Sequence, residues 1–311
     1  MKQEVYDRFK DYQKNHCWQY EIRQQNLSND LKEASLTKQE YESLHTEDFE
    51  FCYVNKENKE ECLEIKQFIE RHEWLGKLPI WLTHRFTARL KKNRTLAGVI
   101  IMATPNAFSN VLGEESKNKE KLISRGACIS WSPKNLASWL LMKSIKWMVK
   151  STEFRAFSAY SDPEAKELGT IYQACNFIYL GQKFGAGSQY LDPTNPKRGW
   201  FGSSGFADRS QIVRYAKKLE IEWQPEWYKM VGTKKNYRKV NWKTIPENIS
   251  KQLKQEREEH KARCLKRPSP TKHKYIYILG QSKKETKELI KLFNQYNSGA
   301  KDLAYPTDRG K

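Results

Sequence analysis

The chain has 311 residues, of which 38% are hydrophobic and 13% aromatic, which is enough to build one large domain or two modest ones. No run of 18 apolar residues and no signal-peptide pattern is present, so composition argues against a membrane protein and predicts a protein of the cytoplasm. Six cysteines, none of them in a CxxC pair, predict reduced thiols rather than a disulfide framework.

The formal net charge of +19 is unevenly distributed along the chain. Residues 1–75 have 11 Lys and Arg against 17 Asp and Glu, whereas residues 76–311 have 45 against 20. The basic part interleaves its charges with aromatic residues, as in "RGWFGSSGF" and "WQPEWYK". Because such residues suit phosphate contact combined with base stacking, this part predicts a nucleic-acid partner rather than only a basic surface.

The first half of the chain begins with polar helical patterns, including "VYDRFKDYQKN", and continues into a sheet. "FEFCYVN" is typical of a short strand, and "NKEECLEIKQFIERHEWLG" of an amphipathic helix. "PIWLTHRFTARL" and "LAGVIIMAT" predict a hairpin around the polar turn "KKNRT". An insertion then precedes the strand "ISRGACISWSP", which leads into the apolar-periodic helix "KNLASWLLMKSIKWMVK".

The second half begins with a strand–helix–strand unit, "RAFSAYSDPEAKELGTIYQACNFIYLGQ". A region rich in Gly, Ser and Pro follows, and then two basic helices, "SQIVRYAKKLEI" and "IPENISKQLKQEREEHKARCLKR". "RPSPTK" predicts a hinge-like linker before a last strand, "HKYIYILG", and a helix capped by Ser282.

This order predicts an α/β fold in which helices flank a mixed, twisted sheet. We expect a helical N-terminal extension over residues 1–47 and a catalytic core over 48–200. Residues 201–311 are expected to form a basic helical region that ends in the late strand and helix.

The segment "ISRGACISWSPKNLASWLL" predicts an anion site at the start of a helix. The first backbone N–H groups of a helix have no acceptor inside it, and the helix dipole favours negative charge there. The site lacks the glycines of nucleotide-binding loops, so a merely well-capped core helix is the alternative. The residues assigned to cofactor binding are Ser132, Lys134, Asn135, Leu136, Ala137 and Ser138.

The next strand, which ends in "YSDP", is expected to lie beside the strand of that segment. Asp162 and Tyr172 would then meet near the anion site, because ligands bind where neighbouring strands end in α/β sheets. Asp162 would act as a base or hold a substrate amine, and Tyr172 would be a proton donor or a hydrogen-bonding anchor. The alternatives are that Asp162 only caps a helix and that Tyr172 is a half-buried aromatic residue.

Strand–turn–helix followed by strand–helix–strand resembles the core of the GNAT acyltransferases. More narrowly, "YSDPEAKELGTIYQACNFIYLGQ" together with "ISRGACISWSPKNLASWLL" resembles the phage Mom family. Mom proteins add a methylcarbamoyl group to the exocyclic N6 of adenine in DNA, which shields phage DNA from restriction. The resemblance covers roughly residues 48–200 and the late strand, and it implies double-stranded DNA as substrate, in the cytoplasm of an infected bacterium.

The family pattern also assigns residues. The Asp of "YSD" is Asp162, the Tyr of "IYQA" is Tyr172, the strand arginine is Arg125, and the helix-start serine is Ser138. In "RHEWLGKLP" His72 takes the place of the family histidine, but Glu73 stands where the family has Tyr. His84 in "THRFTAR" is a second candidate histidine.

The resemblance implies an acyl-CoA, such as acetyl-CoA, as cofactor, while the donor of the methylcarbamoyl group stays open. The target adenine must leave the base stack, which costs a few kcal/mol that phosphate contacts offset. The residues assigned to substrate binding are Arg125, His84, Arg85, Arg89, Tyr179, Arg198 and Trp200.

Two other functions remain open at this stage. One is an ordinary GNAT N-acetyltransferase acting on a small amine or on RNA, which predicts a narrow acidic pocket. The other is a non-catalytic DNA-binding protein. A metal site built from Cys52, Cys62, His72 and His84 is not predicted, because their spacing matches no standard zinc pattern.

The charge pattern makes one testable prediction about DNA. We expect the affinity for duplex DNA to fall steeply as salt rises, because each Lys or Arg that contacts a phosphate releases a counterion. Fluorescence anisotropy with a labelled duplex between about 50 and 200 mM salt measures the slope. An affinity that does not change over this range would show that the basic residues do not form the DNA-binding surface.

Overall fold

The computed structural model describes residues 17–105, 110–184, 187–230, 238–299 and 303–307. These residues form two compact units. The core unit comprises the described residues up to 184 together with those from 271 onward, and the basic unit comprises those between 187 and 270. The predicted helix at "VYDRFKDYQKN" lies outside the described residues, and the predicted boundaries at 47 and 200 stay predictions.

The core unit contains helices on both sides of a sheet. Its helices are α1 (Trp18–Ala34), α2 (Lys38–Glu42), α3 (Lys59–His72), α4 (Leu136–Ser151), α5 (Thr170–Ala174) and, near the end of the chain, α8 (Lys283–Tyr296). Its strands are β1 (Phe49–Val54), β2 (Leu82–Leu90), β3 (Leu96–Ala103), β4 (Glu120–Cys128), β5 (Ala156–Ser161), β6 (Ile178–Phe184) and, late in the chain, β12 (Thr271–Ile278).

Among the described residues these seven strands form one sheet in the order β1-β2-β3-β4-β5-β12-β6. Every neighbouring pair is antiparallel except β4 and β5, which are parallel. The connection between these two strands is α4, whose Leu140, Leu141 and Ile145 are fully buried against the sheet. The predicted fold class, an α/β fold with a mixed sheet flanked by helices, is confirmed.

The parallel pair separates after a short stretch of contact. The paired residues run from Glu120 opposite Ala156 to Ile123 opposite Ala159, which is less than half of β4. A register shift in the pairing of β3 with β4 occurs at the same point, between Ile101 and Met102. The later residues of β4 therefore continue along β3 without a partner in β5, and a gap opens between the two strands.

The late strand β12 lies inside the sheet, between β5 and β6. Tyr275 and Ile276 at its centre are fully buried, and Tyr275 pairs with Ala159 on one side and Tyr179 on the other. The boundary between the two units falls within the predicted linker "RPSPTK", between Pro270 and Thr271, where β11 has ended at Pro268 and β12 begins. The sequence gives no local signal that β12 pairs inside the sheet, since which strands are neighbours is a tertiary property.

The basic unit is built from short strands and two helices. Its elements are β7 (Ser188–Leu191), β8 (Phe201–Gly202), α6 (Arg209–Lys218), β9 (Tyr228–Met230), β10 (Arg238–Val240), α7 (Glu247–Arg263) and β11 (Leu265–Pro268). Strand β7 pairs with β8 and β11, and β9 pairs with β10. Its main apolar cluster joins Ile212 and Tyr215 of α6 to Trp227, Val240 and Leu253.

No described helix combines the length and the apolar character that a membrane span requires.

The position of β12 predicts the result of a truncation. Ending the chain after Arg267 removes an inner strand that pairs on both of its sides, so the core unit loses its cooperative folding. Thermal unfolding followed by circular dichroism checks this, and a truncation after Thr307, which removes four residues, serves as the control. A truncated protein with an unchanged cooperative transition would show that β12 is dispensable.

Candidate active site

A cavity of about 290 Å³ fills the gap between β4 and β5. Gly126, Ala127 and Cys128 of β4 line one side, and Tyr160 and Ser161 of β5 line the other. Its size is close to the lower limit of the roughly 300–1,000 Å³ that is usual for small-molecule sites. Since the end of β4 has no partner in β5, part of its backbone hydrogen-bonding capacity is available to a ligand.

Glu167 provides a carboxyl group in this cavity. It lies just before α5, and its Oε1 accepts a hydrogen bond from Nε1 of buried Trp74 at 2.9 Å. Its Oε2 accepts a second one from the backbone N–H of Asp162 at 3.1 Å. Burial, together with the negative charges of Glu73 and Asp162, raises the pKa of Glu167 to about 7. Glu167 is therefore able to exchange a proton near neutral pH.

Glu73 is a second carboxyl group in the same cavity. It follows the last residue of α3, and its Oε2 accepts a hydrogen bond from the N–H of Gly76 at 2.8 Å. Burial raises its pKa to about 7, although Arg125, whose Nε lies 3.9 Å from Oε1, lowers it in part. Two carboxyl groups with raised pKa values thus line one cavity beside a guanidinium group, an arrangement typical of acid–base chemistry.

Tyr172 of α5 also lines the cavity and packs against Phe177 and Tyr275. Burial raises the pKa of its phenol, as does the charge of Glu167, so the hydroxyl stays protonated at neutral pH and can donate a hydrogen bond. Gly169 before α5 has a φ of +70°, and a Cβ there would lie 2.5 Å from the Tyr275 ring. Glycine at this position therefore lets the chain turn into α5 against Tyr275.

Helix α1 also contributes to the cavity. Cys17, Gln19 and Arg23 belong to its lining. The guanidinium of Arg23 donates to the backbone oxygen of Ser130 at 2.9 Å and to Oγ of Ser132 at 3.1 Å. The N-terminal extension is consequently part of the site.

The predicted anion site lies beside the cavity, which Ala137 and Leu141 of α4 help to line. Asn135 precedes the helix with a φ of +69° and makes no side-chain capping bond. Ser132 binds Arg23, Ser138 donates its hydroxyl proton to the backbone oxygen of Asn135, and Leu136 is fully buried. Lys134 stands in the turn between Ser132 and Asn135. The helix start thus faces the cavity side of the sheet without a side-chain cap.

Asp162 lies where the sequence predicts, directly after β5, but its side chain is engaged elsewhere. Its Oδ1 accepts a hydrogen bond from the N–H of Glu164 at 3.0 Å and so caps a short 3-10 turn. Its Oδ2 lies 3.1 Å from Nζ of Lys272. Asp162 reaches the cavity only through its backbone N–H, which binds Glu167. The structure therefore offers Glu167 in the position that the sequence assigned to Asp162.

The two candidate histidines lie outside the cavity lining. His72 is buried with its Nδ1 3.6 Å from the carboxylate of Asp30, and His84 packs among Tyr53, Phe86 and Trp147. Burial lowers the pKa of each imidazole to about 4, so both are neutral at pH 7.

The other predicted substrate-binding residues are spread over the molecule. Arg125 is close to Glu73, whereas Arg89 is buried in a salt bridge with Glu61 and Glu64 of α3. Arg85 lies on β2, and Tyr179 lies on β6 with its hydroxyl 2.7 Å from Nδ1 of His273. Arg198 and Trp200 belong to the basic unit, where Arg198 stacks on Phe201 and Arg267 stacks on Trp200. Only Arg125 of this set contacts the cavity residues.

Sequence reasoning missed Glu167, Glu73 and Arg23. Glu73 had a usable signal, because it replaces the tyrosine of the family pattern next to His72. Glu167 follows Glu164 in the same polar turn, and no local pattern distinguishes the carboxyl group that lines the cavity from its neighbour. Arg23 lies in a polar helix outside the region of resemblance.

The predicted resemblance to Mom is confirmed over residues 64–192, which match the model of the Mom protein family. This match includes Glu73, Arg125, Glu167 and Tyr172, but neither α1 nor β12. No curated protein sequence matches the chain significantly.

Among solved structures, the chain is similar to several acetyltransferases. A ribosomal-protein-S5-alanine acetyltransferase from Vibrio fischeri is 12% identical with a TM-score of 0.34, covering 46% of this chain and 86% of that one. A putative acetyltransferase from Salmonella typhimurium, solved with acetyl-CoA, is 12% identical with a TM-score of 0.32, covering 45% and 84%. An acetyltransferase from Bacillus subtilis in complex with CoA is 11% identical with a TM-score of 0.32, covering 74% and 99%.

The raised pKa of Glu167 predicts how stability depends on pH. A carboxyl group whose pKa is about 7 in the folded state and 4.5 when unfolded holds more protons in the folded state, so stability falls as pH rises between these values. Glu167→Gln removes this contribution. We expect the variant to be more stable than the native protein by about 3 kcal/mol at pH 8 and nearly equal to it at pH 4.

Urea unfolding at the two pH values measures this difference. Glu60→Gln, which changes an exposed residue of α3, is the matched control and should show no pH-dependent gain. A Glu167→Gln protein that is equally destabilised at both pH values would contradict a raised pKa.

Proposed function

We propose that the protein is a Mom-like enzyme that modifies the exocyclic N6 of adenine in DNA. The observation on which this rests is that the part of the chain matching Mom supplies the cavity with a buried carboxyl group, a half-buried one and a protonated phenol. We further propose that the product is N6-methylcarbamoyl adenine, which would protect phage DNA from restriction in the cytoplasm of an infected bacterium.

Glu167 suits the role of general base. The N6 amine of adenine is a weak nucleophile because its lone pair is delocalised into the ring, so it must lose a proton as the new N–C bond forms. A carboxylate whose pKa is close to the working pH accepts that proton efficiently. The hydrogen bonds from Trp74 and from the backbone of Asp162 fix the orientation of this carboxylate.

Tyr172 and the Glu73–Arg125 pair complete the proposed chemistry. The Tyr172 hydroxyl can donate a hydrogen bond to an oxygen or nitrogen that becomes negative during transfer. Glu73 can hold a proton or, when ionised, is balanced by Arg125. Because both carboxyl groups line the same small cavity, the loss of a proton from one raises the cost of ionising the other.

The cavity also suits the acyl end of an acyl-CoA, which would supply an activated acyl group when bound. The unpaired end of β4 can hydrogen-bond amides of an extended pantetheine-like chain, and Gly126 and Ala127 keep this edge free of large side chains. The uncapped start of α4 and Arg23 offer N–H donors to a pyrophosphate. Of these groups, only the start of α4 is the one that the sequence assigned to an anion.

The basic unit suits contact with the DNA backbone. Residues 185–270 contain 19 Lys and Arg against 9 Asp and Glu. Several of these cations lie over aromatic rings, such as Arg267 over Trp200 at 4.3 Å and Lys254 over Trp242 at 5.6 Å. We propose that this unit binds phosphates of double-stranded DNA, which would offset the cost of extruding the target base.

The acidic cavity also favours a second candidate, an N-acetyltransferase acting on a small amine, because two carboxylates attract a cation. The two functions differ in whether duplex DNA is modified. A purely DNA-binding protein would need neither Glu167 nor Tyr172.

Mass spectrometry of nucleosides tests the proposal. DNA from cells that express the protein should contain a deoxyadenosine whose mass is increased by a methylcarbamoyl group. Glu167→Gln should lower this product by about 100- to 10,000-fold, the usual contribution of a general base. Tyr172→Phe should also lower it, whereas the exposed control Glu60→Gln should not.

Absence of any modified adenine in cells that contain soluble, DNA-bound wild-type protein would contradict the Mom-like function. Acetylated polyamines in the same cells would favour the second candidate. Undiminished modification by Glu167→Gln would show that another group is the base.

A further inference from the structure

The basic unit contains a group of three buried side chains with metal-ligating atoms, in the part of the chain that the structure describes. The carboxylate of Asp192, the imidazole of His260 and the thiol of Cys264 place one ligand atom each within 4.8 Å of one another. Asp192 follows β7, His260 lies in the last turn of α7, and Cys264 links α7 to β11. The group therefore lies where α7 packs on the small β7–β8–β11 sheet.

Asp192 and His260 are each oriented by a second hydrogen-bond partner, which binds the side-chain atom that points away from the cluster. Oδ1 of Asp192 accepts hydrogen bonds from the backbone and the hydroxyl of Thr194 at 2.9 and 2.6 Å, which leaves Oδ2 directed at His260. Nδ1 of His260 lies 2.7 Å from the hydroxyl of Tyr215, which leaves Nε2 directed at Asp192 at 3.0 Å. Such outer partners, which fix one ring nitrogen and one carboxylate oxygen, are typical of metal ligands.

We propose that Asp192, His260 and Cys264 bind a zinc ion. Nitrogen, oxygen and sulfur ligands in one small cluster are the set that Zn²⁺ prefers, and water would take the fourth tetrahedral position. One thiolate and one carboxylate neutralise the ion, which permits its burial. Arg263, a nearby cation, is paired with Glu256 at 3.2 Å.

Binding requires one proton to leave. The Cys264 thiol loses its proton to solvent as the metal–sulfur bond forms. Neutral His260 then carries its single N–H on Nδ1, where it donates to the Tyr215 oxygen, and Nε2 is free for the metal. The ion would hold α7 against the sheet and so stabilise the unit to which we assign DNA contact, although metal binding itself does not depend on that function.

Cobalt spectroscopy of the full chain tests the proposal. After removal of bound metal with a chelator, one equivalent of Co²⁺ should give the visible bands of a tetrahedral site and a sulfur-to-cobalt charge-transfer band in the near ultraviolet. Zn²⁺ should displace the Co²⁺ and release one proton per site. Cys264→Ser should abolish the charge-transfer band, whereas Cys62→Ser, a thiol of the core unit, should leave it unchanged.

The variant Tyr215→Phe tests whether the cluster is a metal site or only a buried hydrogen-bond network. It keeps the three ligands but removes the group that orients His260, so the Kd for Zn²⁺ should rise about 10- to 100-fold. Chelation should also lower the Tm of the wild-type protein, and Zn²⁺ should restore it. Either of two results would overturn the proposal, even if the variants fold poorly. One is a wild-type protein that binds no stoichiometric zinc or cobalt. The other is a charge-transfer band that persists in Cys264→Ser.

Discussion

Strands β4 and β5 pair through only four residues, from Glu120–Ala156 to Ile123–Ala159, and then separate. This separation is the constraint on which the candidate site depends. A sheet that stayed paired would fill the space between these strands with backbone hydrogen bonds and leave no cavity. Because the strands diverge, the end of β4 has unpaired backbone groups, and the cavity exposes them to a ligand. The helix that follows β4 starts at the same place, so an anion-binding helix end and an open strand edge come together.

The chemistry of the cavity follows from charge placed in a poorly solvated space. Glu73 and Glu167 come from separate segments of the chain, and burial is the main reason that both pKa values rise to about 7. This arrangement costs folding free energy at neutral pH, and apolar residues at the two positions would avoid the cost. A protein keeps such a pair where it needs groups that gain and lose protons near neutrality. Asp162, by contrast, is stabilised by a cap and a lysine and has a structural explanation that is sufficient by itself.

Two elements outside the Mom match are integral to the core unit. Helix α1 brings Arg23 to the cavity, and buried Asp30 of the same helix accepts a hydrogen bond from Ser130 at 2.6 Å and pairs with Arg71 at 2.7 Å. Strand β12 completes the sheet between β5 and β6. The segment between these parts of the core unit, residues 185–270, forms the separate basic unit. The Mom-like region is thus supported by flanking segments.

The sequence by itself determined the features that depend on local chemistry. Apolar periodicity located α3 and α4, and the polar turn "KKNRT" located the β2–β3 hairpin. Asp162 and Ser282 marked the caps, and the motif around Tyr172 indicated the family. Tertiary structure alone decided which distant segments meet. Glu167 differs from Glu164 only in the direction of its side chain, which the turn before α5 sets. The pairing of β12, the approach of Arg23 and the assembly of Asp192 with His260 all join residues more than 60 positions apart or elements from opposite ends of the chain. No local pattern encodes such contacts, because they arise from the burial of whole faces.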